Sequence, residues 1–172
     1  MRCFIGSILA GIVLFVWGAI SWMVLPWHTQ TLNDLPDAQA ILAKATQPTG
    51  IYIYPSAKQF LEQSNTVQTL VFASVQRDRP TSMVLPLLIS LATQIIAAIF
   101  VFWMLSMTTG LSYVGRLFFV VMFGLAAGLV THVPYWNWFG FDTYYTLVEM
   151  ADLVIGWFLA GLIMAGFYCG KV

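Results

Sequence analysis

Four long apolar runs, broken once by a polar stretch, set the pattern of this chain. They are Phe4 to Leu25, Met83 to Thr108, Leu117 to Val133 and Tyr144 to Tyr168. A membrane-spanning helix needs about 20 consecutive apolar residues, and each run has that character. Pro26 stops the first run, Pro86 sits in the first turn of the second, where a missing amide proton costs little, and Pro134 closes the third. The retained first helix carries the small-residue spacings Gly6 with Ala10 and Ser7 with Gly11. Such spacings let helix backbones approach closely. Gly124 with Gly128, and Gly156, Ala160, Gly161 and Ala165, do the same for the third and fourth helices.

The polar stretch, Trp27 to Ser82, reads as an insert. Asp34 is positioned to cap a short helix with an Ala38, Ile41, Leu42 and Ala45 face. Gln47-Pro48-Thr49-Gly50 is a turn signal, Ile51 to Tyr54 a strand stopped by Pro55, Ala57 to Gln63 a helical turn, and Val67 to Val75 a second strand. The two strands are expected to pair as an antiparallel ribbon. About 55 residues is marginal for an independent core, so the insert is expected to rest on the membrane surface or on the loop before the last helix. The fold class is therefore an all-α membrane protein of four transmembrane helices with a small α+β extracytoplasmic insert between helices 1 and 2. The divisions fall at residues 1–26, 27–82 and 83–172, with the last unit holding helices at about 83–108, 117–133 and 144–168.

Composition sharpens the class. Of 172 residues, 60% are hydrophobic and 8% charged, against roughly 25% charged in soluble domains. Net charge is zero, and no basic stripe points to nucleic acid. Most formal charges lie in the insert. Arg2, Arg116 and Lys171 beside the spans put both termini in the cytoplasm. Arg77 and Arg79 oppose this and are expected to fold over the outer mouth toward Asp142 or Glu149. Cys3 and Cys169 then share the terminal face, where cytoplasmic thiols stay reduced.

The helix end Phe15 to Trp27 (FVWGAISWMVLPW), followed by GIYIYP at Gly50 to Pro55, resembles a family of bacterial inner-membrane proteins with a WGxxSxMVL first helix and an extracytoplasmic insert. Trp17, Gly18, Ser21, Met23, Val24 and Leu25 carry the likeness, and Trp22 stands where relatives often have His. The resemblance implies a multi-pass protein of the bacterial inner membrane and implies no chemistry.

Candidate chemistry gathers from His132 to Gly161. Glu149 and Asp152 lie within the last apolar run at i, i+3 spacing, on one helix face. A charge at the bilayer centre costs about 2.5–3.5 kcal/mol on insertion scales, and Gly156 and Ala160 continue the same stripe, so the carboxylates are expected to point into the bundle. His28 and His132 fall at the same level. In ligand type these four residues suit Zn²⁺ or non-haem iron, although no HxxxH or HExxH spacing fixes a geometry. Ser21, Ser90 and Ser106 have no neighbouring base in sequence. The aromatic segment from Tyr135 to Phe141 reads as a loop, either an interfacial belt or a shallow lipid pocket with Asn137 and Asp142 as polar tips.

These residues support a non-enzymatic accessory or envelope protein, binding a partner protein or lipid through Trp136, Asn137, Trp138, Asp142, Glu149 and Asp152. One rival is a metal- or acid/base-dependent enzyme acting on a lipid-like substrate. Another is a small ion- or proton-conducting oligomer using Glu149 and Asp152 with Gln94. No motif calls for a cofactor. The expected partners are the bilayer and a second protein or further copies of this chain.

Overall fold

A computed structural model describes residues 1–34, 48–56, 58–59, 69–78 and 81–169. In chain order the elements are α1 (Arg2–Met23), α2 (Trp27–Thr31), β1 (Gly50–Tyr54), β2 (Val71–Val75), α3 (Val84–Ser106), α4 (Tyr113–Phe139) and α5 (Thr143–Gly166). Among the described residues, α1, α3, α4 and α5 are long and apolar enough to cross a membrane, as expected of a multi-pass membrane protein.

The helices pack in the order α4, α5, α1, α3, and α3 meets α4 along only a short length. Small residues set the close approaches. A Cβ on Gly124 would stand 2.7 Å from the Trp157 side chain, and one on Gly11 would stand 2.5 Å from the Ile95 backbone. Gly156 faces Trp17 and Leu14, and Gly161 faces Leu117 and Val120. Between apolar helices in lipid no hydrophobic gain rewards association, so van der Waals contact at such positions carries the packing. The expected small-residue faces are therefore the interfaces.

The buried core sits in the half of the bundle nearest the termini. Leu14 of α1, Phe102 and Leu105 of α3, Val120 of α4, and Trp157 and Met164 of α5 form it. Val84 to Ser90 of α3, at the other end, are exposed on every side. The Cys3 and Cys169 side chains meet at the terminal end, with Cα atoms 5.9 Å apart, a spacing that a disulfide can bridge. Beside them, Arg2 donates to the Gly166 carbonyl, and the Arg116 guanidinium lies 3.8 Å from the centre of the Tyr168 ring.

β1 and β2 pair antiparallel, with Tyr52 opposite Ala73, as the strand patterns predict. The second strand begins at Val71, later than its β-branched run suggests. The expected helix after Asp34 and most of the turn from Ala57 to Gln63 lie outside the described residues. The short α2 is not anticipated by the sequence pattern.

The largest difference concerns the aromatic segment. It is not a loop: α4 begins at Tyr113, continues through Pro134 and ends at Phe139. Proline removes one backbone donor without forbidding the helical φ, so it does not end this helix. Gly140 does, at φ 67°, with its amide bonded to the Tyr135 carbonyl. Only glycine adopts this left-handed conformation at little cost. The true connection is Gly140 to Asp142, and Asp142 caps α5 by accepting the Tyr145 amide at 2.9 Å.

Candidate functional site

α1 runs out at Met23, and Pro26 starts α2 in a tight reversal. That reversal folds His28 back against the last turns of α1 and the first turns of α5. His28 is the one buried residue of α2 and is 1% exposed. Its Nδ1 lies 3.4 Å from Glu149 Oε1, and its Nε2 lies 3.6 Å from Asp152 Oδ2. Both carboxylates are largely shielded, with side chains 13% and 15% exposed. The inward orientation expected from the helical stripe is thus observed.

Neutral polar groups surround this charge cluster. Ser21 Oγ is 3.0 Å from His28 Nε2. The Trp27 indole N–H donates to Ser21 Oγ at 2.9 Å and reaches the Ser21 carbonyl at 3.2 Å. The Trp17 indole N–H donates to the Asp152 carbonyl at 3.1 Å. Trp22 stacks on the imidazole, with ring centres 3.9 Å apart and planes 12° apart. Tyr145 lies one turn before Glu149 on α5. His28 Nδ1, Glu149 Oε1 and Asp152 Oδ1 are buried without a hydrogen bond. The approaches of His28 to the two carboxylates are longer than charge-assisted hydrogen bonds, and its hydrogen bond is the one with Ser21.

Ser21 corrects the sequence reading. It does have a base beside it, His28, supplied by the Pro26 reversal. The order serine, imidazole, carboxylate matches the relay of acyl-transfer enzymes. Yet Ser21 is 0% exposed, and its oxygen already accepts from Trp27. Nothing in this arrangement leaves room for a scissile carbonyl.

The four expected metal ligands divide. His28, Glu149 and Asp152 meet, whereas His132 on α4 has no hydrogen bond or ion pair to any of them among the described residues. The two imidazole nitrogens face different carboxylates, so one ion cannot use the ring and both acids in this arrangement. Among the described residues no group of three or more His, Cys, Asp or Glu is disposed to hold a metal ion.

The proposed binding residues occupy two levels. Trp136 and Trp138 are 45% and 73% exposed on the last turns of α4, and Asn137 beside them is exposed. The Trp136 indole donates to Thr143 Oγ1 at 3.0 Å, bracing the turn into α5. Asp142 is committed to its cap. Arg77 donates its backbone amide to Thr49 Oγ1, and the expected partner role of Arg79 lies outside the described residues.

Phe72 of β2 was not singled out by sequence, and it joins the two levels. Its ring centre is 4.8 Å from Phe139, 5.7 Å from Phe141 and 6.1 Å from Tyr135. Phe141 in turn lies 5.8 Å from Tyr145, one turn before Glu149 on α5. Leu70 approaches Gly140. The ribbon is seated on the end of α4, as the marginal size of the insert requires. No family model matches the chain, and no curated protein or solved structure is significantly similar to it.

Proposed function

We propose that this chain is a non-enzymatic accessory or envelope component of the bacterial inner membrane. Its termini lie in the cytoplasm and its insert lies outside, in keeping with Arg2 and Arg116 at the terminal end. The insert and the aromatic end of α4 together receive a partner protein or a lipid. The observation that carries this reading is the seating of Phe72 on Tyr135, Phe139 and Phe141. It sets the ribbon beside exposed Trp138, and Ile51 and Tyr54 of the ribbon are themselves 64% and 57% exposed. Aromatic side chains bring large contact area at low entropic cost and are enriched where partners bind.

The test is photocrosslinking in living cells from a benzophenone amino acid at position 138, with position 103 of α3 as the lipid-facing reference. A discrete protein adduct or a lipid class enriched only at 138 supports the reading. Identical bulk-lipid products from both positions refute it.

A second reading is favoured by the convergence of His28 with Glu149 and Asp152. In it the chain is an acid–base enzyme for a lipid-like substrate, with His28 as the proton carrier. It requires Trp22 to move aside, and a bulky lipid amphiphile that protects Trp22 from oxidation would support it.

A further inference from the structure

We propose that a second copy of this chain packs against α3, and that the two Gln94 side chains hydrogen-bond to each other at the contact. Gln94 stands near the middle of α3, one of the helices long and apolar enough to cross a membrane. Among the described residues its amide makes no hydrogen bond. Thr93 beside it differs, because its hydroxyl donates to the Ile89 carbonyl at 2.8 Å. Gln94 is only part-buried, so its amide is reached from outside the bundle. An unpaired amide in hydrocarbon is strongly disfavoured, and lipid tails offer it neither donor nor acceptor.

The surface around Gln94 is shaped for another helix. Leu87, Ser90, Gln94 and Ala97 share one face of α3, at alternating spacings of three and four residues. That is the seam of a two-stranded coiled coil, with a small side chain one turn to either side of the amide. Leu87 is 44% exposed, and every residue from Val84 to Ser90 is exposed. Val101, the next seam position, is 1% exposed and belongs to the chain's own core. α3 meets α4 along only a short length. The chain's own helices therefore cover the seam toward the termini and leave it open from Gln94 outward.

The amide selects the occupant. A carboxamide carries both donor and acceptor, so two of them about a two-fold axis satisfy each other with a reciprocal pair of hydrogen bonds. A second copy inserted the same way brings its Gln94 to the same depth by symmetry, and each residue of the seam meets its own counterpart, as in an isologous contact. Other polar side chains of the spans are already engaged: Ser7 donates to the Cys3 carbonyl and Ser106 to the Trp103 carbonyl. One polar residue in an otherwise apolar seam fixes register and the number of strands, so the assembly is a dimer. The contact uses neither the ribbon nor the end of α4, and it is independent of what that end receives.

Förster transfer between donor- and acceptor-labelled full-length chains in phosphatidylcholine and phosphatidylglycerol liposomes tests it, over a series of protein-to-lipid ratios. The wild type is expected to give transfer above the random-encounter level, with the density dependence of a dimer. Gln94→Leu is expected to weaken association about tenfold, and Gln94→Asn, which keeps an amide, to be intermediate. Copper-phenanthroline oxidation locates the contact. Leu87→Cys is expected to give a covalent dimer that the wild type does not give, and Ile96→Cys, on the opposite face of α3, to give none. Random-level transfer by the wild type overturns the proposal and leaves lipid covering the seam. Association unchanged in Gln94→Leu overturns it as well. Should Gln94→Leu fail to fold, absence of the Leu87→Cys dimer overturns it equally. Crosslinking of Leu87→Cys in cells to a different membrane protein, without the dimer, assigns the seam to that protein and overturns the second copy.

Discussion

Ser21 and His28, seven residues apart in sequence, meet at 3.0 Å with neither side chain exposed. The Pro26 reversal brings them together, and Trp27 closes the ring by donating to Ser21 Oγ. Replacing Ser21 with Ala therefore deletes the nearer of two acceptors of the Trp27 indole, leaving the Ser21 carbonyl at 3.2 Å, and the hydrogen-bond partner of the imidazole. A buried group left unsatisfied costs about 1–3 kcal/mol. Ser21→Ala is expected to lower the thermal midpoint measurably in detergent, and Ser21→Thr to recover part of the loss by restoring the hydroxyl. Equal stability of Ser21→Ala and wild type would show the contact to be dispensable.

The α4–α5 interface makes a sharp contrast between two glycines one helical turn apart. A Cβ at Gly124 meets Trp157 at 2.7 Å, whereas a Cβ at Gly128 meets Met150 at 3.6 Å, an ordinary contact. Overpacking of this kind costs about 1–3 kcal/mol. Gly124→Ala should destabilise the bundle by that order, and Gly128→Ala should be neutral or slightly stabilising through a better helix propensity. Unfolding in mixed detergent by circular dichroism separates the two, and the reverse ranking would contradict the packing described.

Phe72 is the ribbon's aromatic anchor on α4. Phe72→Ala removes its contacts with three aromatic rings, each pair worth about 0.5–1.5 kcal/mol beyond area burial. The expected result is faster cleavage within the insert by limited proteolysis, while α1, α3, α4 and α5 stay intact. Phe72→Leu should be intermediate. Unchanged cleavage would mean that the ribbon is held by something else.

Cys3 and Cys169 report on which side the termini face. Their Cα separation of 5.9 Å is compatible with a disulfide. A cytoplasmic location keeps such a pair reduced and an exterior one allows it to oxidise. With the termini inside, rapid alkylation of intact cells should trap both thiols free. An oxidised pair in cells would put the termini outside and overturn the orientation drawn from Arg2 and Arg116.

Much of the scaffold was legible in sequence because its signals are local. Span-length apolar runs and small-residue spacings announce the four helices, and β-branched runs around Pro48 to Gly50 announce the ribbon. The inward aim of Glu149 and Asp152 was legible too, because helical periodicity places Gly156 and Ala160 on their stripe. What was not legible depends on chain reversal or on the competition between adjacent signals. Pro134 and Gly140 both look like stops, and only backbone geometry shows that glycine ends α4. The Ser21 and His28 contact arises from a turn at Pro26 that no periodicity encodes. Phe72 looks like any strand aromatic until the ribbon is laid on α4. His132 sits at the right level in sequence, yet being on α4 it does not join His28, which is held between α1 and α5.

The central claim is that the ribbon and the end of α4 form one receiving surface. The direct measurement is photocrosslinking from position 138 in the Phe72→Ala background, with position 103 as reference. The account predicts that the adduct specific to position 138 in the wild type disappears, while products from position 103 and the amount of protein in the membrane stay unchanged. Persistence of the same adduct at undiminished yield, with the ribbon unseated, would contradict it.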